Sequence, residues 1–182
     1  MAKDLLFEIG AEEIPAGFLP NIIKQLGELA TAALSERHIP HGSVKVYATP
    51  RRVALLINDV AERGEDVHET HKGPSVSIAY DADGNATKAA IGFARGKGLD
   101  VSELKVVDGY IFADTTTAGL DTKEVLSDVL PSLITGLSFP KSMHWGDLEE
   151  RFVRPVRWLV ALFGQDVVPV TFANVTSTNV SR

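Results

Sequence analysis

Pro155–Val–Arg–Trp–Leu–Val–Ala–Leu–Phe–Gly164 is an apolar run interrupted only by Arg157. Bounded by a proline and a glycine, it reads as a short buried helix, with Pro155 at the first helical position and Gly164 as the stop. Val167–Phe172 then reads as a final strand. On this basis the element order is β-α-β-β, a mixed middle, then β-β-α-α-β. That order predicts an α+β fold: a mixed, largely antiparallel sheet with helices packed on one side, and a small helical insert.

Working upstream, Phe139–Pro–Lys–Ser–Met–His–Trp–Gly146 and Arg151–Phe–Val–Arg–Pro–Val–Arg–Trp158 hold both tryptophans and four of the eighteen Lys and Arg residues. Aromatics beside Arg and Pro describe rigid apolar anchors with fixed cationic forks. The acids Asp147, Glu149 and Glu150 nearly neutralise the segment. Asp121, with Glu124 three residues on, resembles a capping box. It opens a helix with Val125, Leu126, Val129, Leu130, Leu133 and Ile134 inward, and Pro131 should kink or split that helix.

Leu5–Ile9 reads as a buried strand, apolar on both faces except at Glu8. Glu12–Gly17 is a loop feeding a helix from Phe18 to Arg37, whose apolar residues form a stripe at helical spacing. Val44–Ala48 and Val53–Val60 alternate with period two around Thr49–Pro50 and read as strands. Glu62–Lys72 is polar and reads as a solvated extension, and Val76–Tyr80 as a short strand. Ala86–Lys97 reads as helical, and Asp108–Gly109 as the turn of a hairpin between Lys105–Val107 and Tyr110–Thr117. Gly64–Pro74 is the best boundary for an inserted subdomain at about 73–105. A finish at Val180–Ser–Arg182, directly after a strand, is expected of a piece of a longer chain.

At 182 residues the chain has room for one domain or two small ones, and 45% hydrophobic content argues against disorder. Having no cysteine excludes disulfides, thiolate nucleophiles and cysteine-ligated zinc, and fits a reducing cytosol. No apolar run approaches the ~20 residues of a membrane-spanning helix, so no membrane partner is expected. The net charge of −6 argues against a free-standing basic RNA-binding module; polyanion contact would need local clusters.

No catalytic constellation assembles from these residues, and no cofactor or metal site is expected. His68 and His71 have H-x-x-H spacing, but their segment lacks helical periodicity and a third ligand. Gly92-x-x-x-Gly96–Lys97–Gly98 fails as a phosphate loop, with three residues between Gly92 and Gly96 and no Ser or Thr after the lysine. Adjacent acids, Glu12–Glu13 or Glu149–Glu150, diverge on any regular element. The remaining candidates are Arg51, Arg52, Lys141, Arg154 and Arg157, as phosphate contacts or as partners of nearby acids, and Trp145, as a stacking or packing aromatic. Arg51 and Arg52 open a strand, one to each face. Arg154 and Arg157, three apart at a helix start, would share a face with Lys141 if the loop between them folds back.

Phe7–Glu–Ile–Gly–Ala–Glu–Glu–Ile–Pro15, Thr49–Pro–Arg–Arg52, Lys72–Gly–Pro74, Gly92–Phe–Ala94, Phe139–Gly146 and Phe152–Val–Arg–Pro–Val–Arg–Trp158 occur in that order. Together they resemble the N-terminal part of the beta subunit of bacterial heterotetrameric glycyl-tRNA synthetase. The resemblance implies a ligase of two alpha and two beta subunits that joins glycine to its tRNA with ATP and magnesium. It also implies that catalysis lies in the alpha subunit and that beta serves tRNA binding and assembly, in the cytoplasm. Partners would be the alpha subunit, the rest of beta and tRNA(Gly). A fold like the B3/B4 domain of phenylalanyl-tRNA synthetase beta chains is implied as well. His144 departs from the family's usual arginine, which removes a fixed cation. The later HD-type and anticodon-binding regions of full beta subunits lie outside these residues. The rival reading is a purely structural docking module without RNA contact.

Overall fold

In the computed structural model, which describes all of residues 1–182, Val156–Phe163 is a β-strand, not a helix. Its two faces explain the misreading. Leu159, Ala161 and Phe163 face the helices, while Trp158 and Val160 are buried on the opposite face. A strand buried on both faces loses its alternation and looks like any other apolar run. Pro155, lacking an N–H, precedes the ladder and accepts a hydrogen bond from Glu12 N at 3.0 Å. Gly164 does not end a helix. It takes φ +62° in the two-residue turn into the next strand.

In chain order the strands are β1 (Ala2–Ala11), β2 (Val44–Thr49), β3 (Arg52–Ala61), β4 (Val67–Ser75) and β5 (Lys105–Val107). They continue with β6 (Tyr110–Thr117), β7 (Val156–Phe163), β8 (Asp166–Val167), β9 (Thr171–Phe172) and β10 (Val175–Thr178). The helices are α1 (Leu19–Glu36), α2 (Val76–Ala79), α3 (Lys88–Gly96) and α4 (Thr122–Gly136). The fold is α+β, as expected.

Two compact units divide the chain. The first comprises Met1–Glu65 and Gly119–Arg182, and the second Asp66–Ala118. In the first, a seven-stranded sheet runs β2-β3-β1-β7-β10-β9, with β8 paired to β7. Every pairing is antiparallel except β7 with β10. Ile22, Leu26, Ala30 and Leu34 of α1 join the apolar stripe of α4 against Phe7, Ile9, Leu55 and Leu159 on one sheet face. α4 runs unbroken through Pro131; its buried neighbours Leu130, Leu133 and Ile134 hold the turn that the missing N–H weakens. At its start Asp121 accepts from Lys123 N and Glu124 N, the forward half of the expected box. The final strand expected at Val167–Phe172 is divided between β8 and β9.

The second unit has a three-stranded antiparallel sheet, β4-β6-β5, beside α2 and α3. The insert is therefore mixed rather than helical. The polar stretch expected to be a solvated extension supplies β4, because ladder pairing needs backbone, not apolar side chains. Thr70 Oγ1 donates to Asp114 across the pair at 2.8 Å, and His68 bonds Thr116 at the same distance. Val76–Ala79 forms a single helical turn, closed by Tyr80 N on Val76 O, where a strand was expected.

Candidate functional site

Three segments far apart in sequence meet at one end of the main sheet. The end of β1 and the loop after it are pinned to the β2–β3 turn by Ala11 N to Arg51 O (3.0 Å) and Ile14 N to Pro50 O (2.6 Å). Glu12 N reaches Pro155 O at the start of β7. Gly10 lies opposite Arg52 on one side and Trp158 on the other. The Phe7–Pro15, Thr49–Arg52 and Phe152–Trp158 motifs thus build one place.

That place is a cleft of about 340 Å³ lined by Arg51, Arg52, Arg157, Trp158 and Arg182. Arg52 Nη1 lies 3.6 Å from a carboxylate oxygen of Glu8, and the guanidinium sits 5.8 Å from the centre of the Trp158 ring. It also donates to Ser181 Oγ (3.1 Å) and Arg182 O (2.6 Å). Arg157 Nη2 pairs with Glu12 at 2.8 Å. Arg51 is exposed in the turn before β3, and no carboxylate pairs with it. Four guanidiniums against two carboxylates leave this cleft positive on a chain of net charge −6.

Glu8 organises the floor. It is 7% exposed and accepts from Trp158 Nε1 and Ser181 Oγ, both at 2.6 Å. A buried carboxylate persists when charge-assisted donors replace its water, and Glu8 has two hydroxyl or indole donors and a guanidinium. The indole therefore stands flat over Gly10, with its N–H spent inside the protein, and presents no free face for a base.

The other candidates do not line this cleft. Arg154 precedes β7 and donates to Val153 O at 2.9 Å, so it shares no helix face with Arg157. Lys141 is exposed on the Phe139–Gly146 segment. Trp145 is half-buried against the core, 6.4 Å from the ring of Phe172, which in turn meets Phe152 at 6.4 Å. Arg151 braces this segment through Ser142 Oγ and Ser142 O (both 3.1 Å) and through His144 Nε2 at 2.9 Å. Guanidinium has no acceptor, so His144 Nε2 receives that bond. None of the acids in Asp147–Glu150, expected to neutralise the arginines, does so; Glu8 and Glu12 from the first strand and its loop do. His68 and His71, three apart on β4, point to opposite faces and bond Thr116 and Thr115.

Glu8 and Arg182 were not foreseen as parts of a site. The signal for Glu8 was present: a lone acid in an otherwise apolar strand needs a buried partner. Arg182 joins through backbone geometry that no spacing reveals.

The glycyl-tRNA synthetase beta subunit family model matches residues 5–182. The chain belongs to this family. It is 51% identical over 179 residues to the glycine–tRNA ligase beta subunit of Bacillus subtilis, covering 96% of this chain and 26% of that protein. It is 48% identical to the Desulfitobacterium hafniense beta subunit over 100% of this chain and 27% of the relative. For Halothermothrix orenii the identity is 43%, with 100% and 26% covered. The chain thus spans about a quarter of the length of the curated relatives it matches. Within this family frame His144 has a clear local consequence. An arginine there would set a second cation against Arg151, whereas the imidazole accepts from it.

Proposed function

We propose that this chain is the N-terminal, non-catalytic part of a glycine–tRNA ligase beta subunit and that its arginine cleft meets the tRNA backbone. In the assembled enzyme, a cytoplasmic heterotetramer, ATP and magnesium would serve the alpha subunit's chemistry. The observation that carries the reading is the gathering of Arg51, Arg52, Arg157 and Arg182 around one opening. Guanidinium forks suit phosphate oxygens, and a concave group of them on an acidic protein concentrates the attraction locally. The buried N–H and covered faces of Trp158 argue for phosphate contact without base stacking.

Alanine at Arg51 and Arg157 in the assembled enzyme tests this. Affinity for tRNA(Gly) should fall, and the slope of log K against log salt should shrink by roughly 0.7–0.9 for each phosphate deprived of its arginine. Unchanged affinity and slope would refute it. The chain alone should give no glycine-dependent pyrophosphate exchange. The second reading, a docking module, draws support from Glu8 and Glu12, which already occupy Arg52 and Arg157. Subunit association that weakens in the same variants, with tRNA affinity intact in the assembled enzyme, would favour it.

A further inference from the structure

The main sheet has helices on one face only. On the other, register places Leu56 (β3), Leu6 (β1), Leu162 (β7) and Val167 (β8) side by side across four strands. Tyr47 stands at the end of the next row. The three leucines are partly exposed, Tyr47 is 58% exposed and Val167 38%. A contiguous apolar row on a sheet face is a surface that associates. Only Lys45 brings a cation to this row, so phosphate finds little there.

We propose that the row docks the polypeptide that follows residue 182 in beta chains as long as the relatives. Two observations name this occupant. The chain already lies on the same face, where Ser181 bonds Glu8 on the adjoining row and the Arg182 carbonyl accepts from Arg52 at 2.6 Å, one row beyond it. The matched relatives are about four times longer, which supplies the length to cross the leucines. The Glu8–Arg52–Trp158 group then acts as a clamp that holds the chain against this face of the sheet. The inference rests on the reading of this chain as part of a longer beta subunit.

The native absence of cysteine from residues 1–182 makes the test direct. Tyr47→Cys and Val167→Cys are placed singly in a chain of the relatives' length, with any cysteine beyond residue 182 replaced. Leu120→Cys, at a residue 60% exposed, serves as the open reference. In the isolated beta chain, at any protein concentration, maleimide should label the two face thiols at least about tenfold more slowly than the reference. Equal rates would overturn the inference. So would slowing that appears only with alpha subunit, only with tRNA, or only as beta concentration rises, because each names a different occupant. Failure of the assembled enzyme to charge tRNA(Gly) would instead sink the family-based reading, and the thiol rates do not depend on it.

Discussion

Replacing Gly10 with alanine should be among the most damaging single-methyl changes available to this fold. A Cβ at position 10 would fall inside the indole of Trp158, which lies against the glycine from the neighbouring strand. The indole cannot slide aside freely. Trp158 is 7% exposed, its Nε1 is held by the Glu8 carboxylate, and Arg52 sits over the ring. Overfilling a packed site costs about 1–3 kcal/mol. Breaking the hydrogen bond to the charged carboxylate adds about 1.5–3 kcal/mol. Non-additivity trims the upper end of the sum, leaving about 2.5–5 kcal/mol, or about 5–20 °C in Tm for a chain of this size. Thermal unfolding followed by far-UV circular dichroism measures it. Adding Trp158→Leu to Gly10→Ala removes the clash, so the double variant should fall short of the summed single costs by at least about 1 kcal/mol. A Gly10→Ala protein melting within about 2 °C of the parent, or strictly additive losses, would refute the reasoning.

Asp121→Ala should cost about 1 kcal/mol in urea unfolding, since it strips acceptors from two orphan amides of α4. Glu124→Ala should stay within about 0.5 kcal/mol, because no return bond from Glu124 closes the box. Thr122→Val should cost about 1–3 kcal/mol, because the fully buried hydroxyl donates to Ala61 O at 2.6 Å and valine leaves that carbonyl unpaired. Lys3, and secondarily the N-terminal amine, hold the Glu62 carboxyl below its usual range. A depressed carboxylate pKa stabilises the fold above the unfolded-state value, and that contribution vanishes as pH falls through the folded one. Glu62→Gln should therefore flatten the acid limb of a Tm–pH curve; an unchanged limb would assign it to other acids.

Periodicity carried the elements that bury one face and failed on those that do not. The stripe of α1, the alternation of β2 and β3, and the Asp108–Gly109 turn all follow local rules and were legible. β7 is central, so β1 and β10 supply its hydrogen bonds while apolar side chains are buried on both of its faces. From sequence alone a run with apolar residues on every side fits a buried helix equally well. The failure at β4 is the converse. Polar residues such as Glu69 and Thr70 reveal nothing about a ladder on β6, where the partner of Thr70, Asp114, lies 44 residues downstream.

The cleft shows the same division at the level of chemistry. Arg51, Arg52 and Arg157 were visible as cations, but which acids answer them depended on register. With β7 read as a helix, the nearest carboxylates in sequence, Asp147 to Glu150, were the natural partners. Once β7 is a strand antiparallel to β1, the row Gly10–Trp158 brings Glu12 to Arg157 and Glu8 beneath Arg52. The assignment of one element therefore reassigns every charge in the site. It also changes the electrostatics, because the acids that screen Arg52 and Arg157 are fixed by the sheet, whereas Arg51 in the turn is left open. Arg51 is accordingly the side chain on which an incoming phosphate has no internal carboxylate to displace, and its alanine variant separates contact with RNA from structural pairing most cleanly.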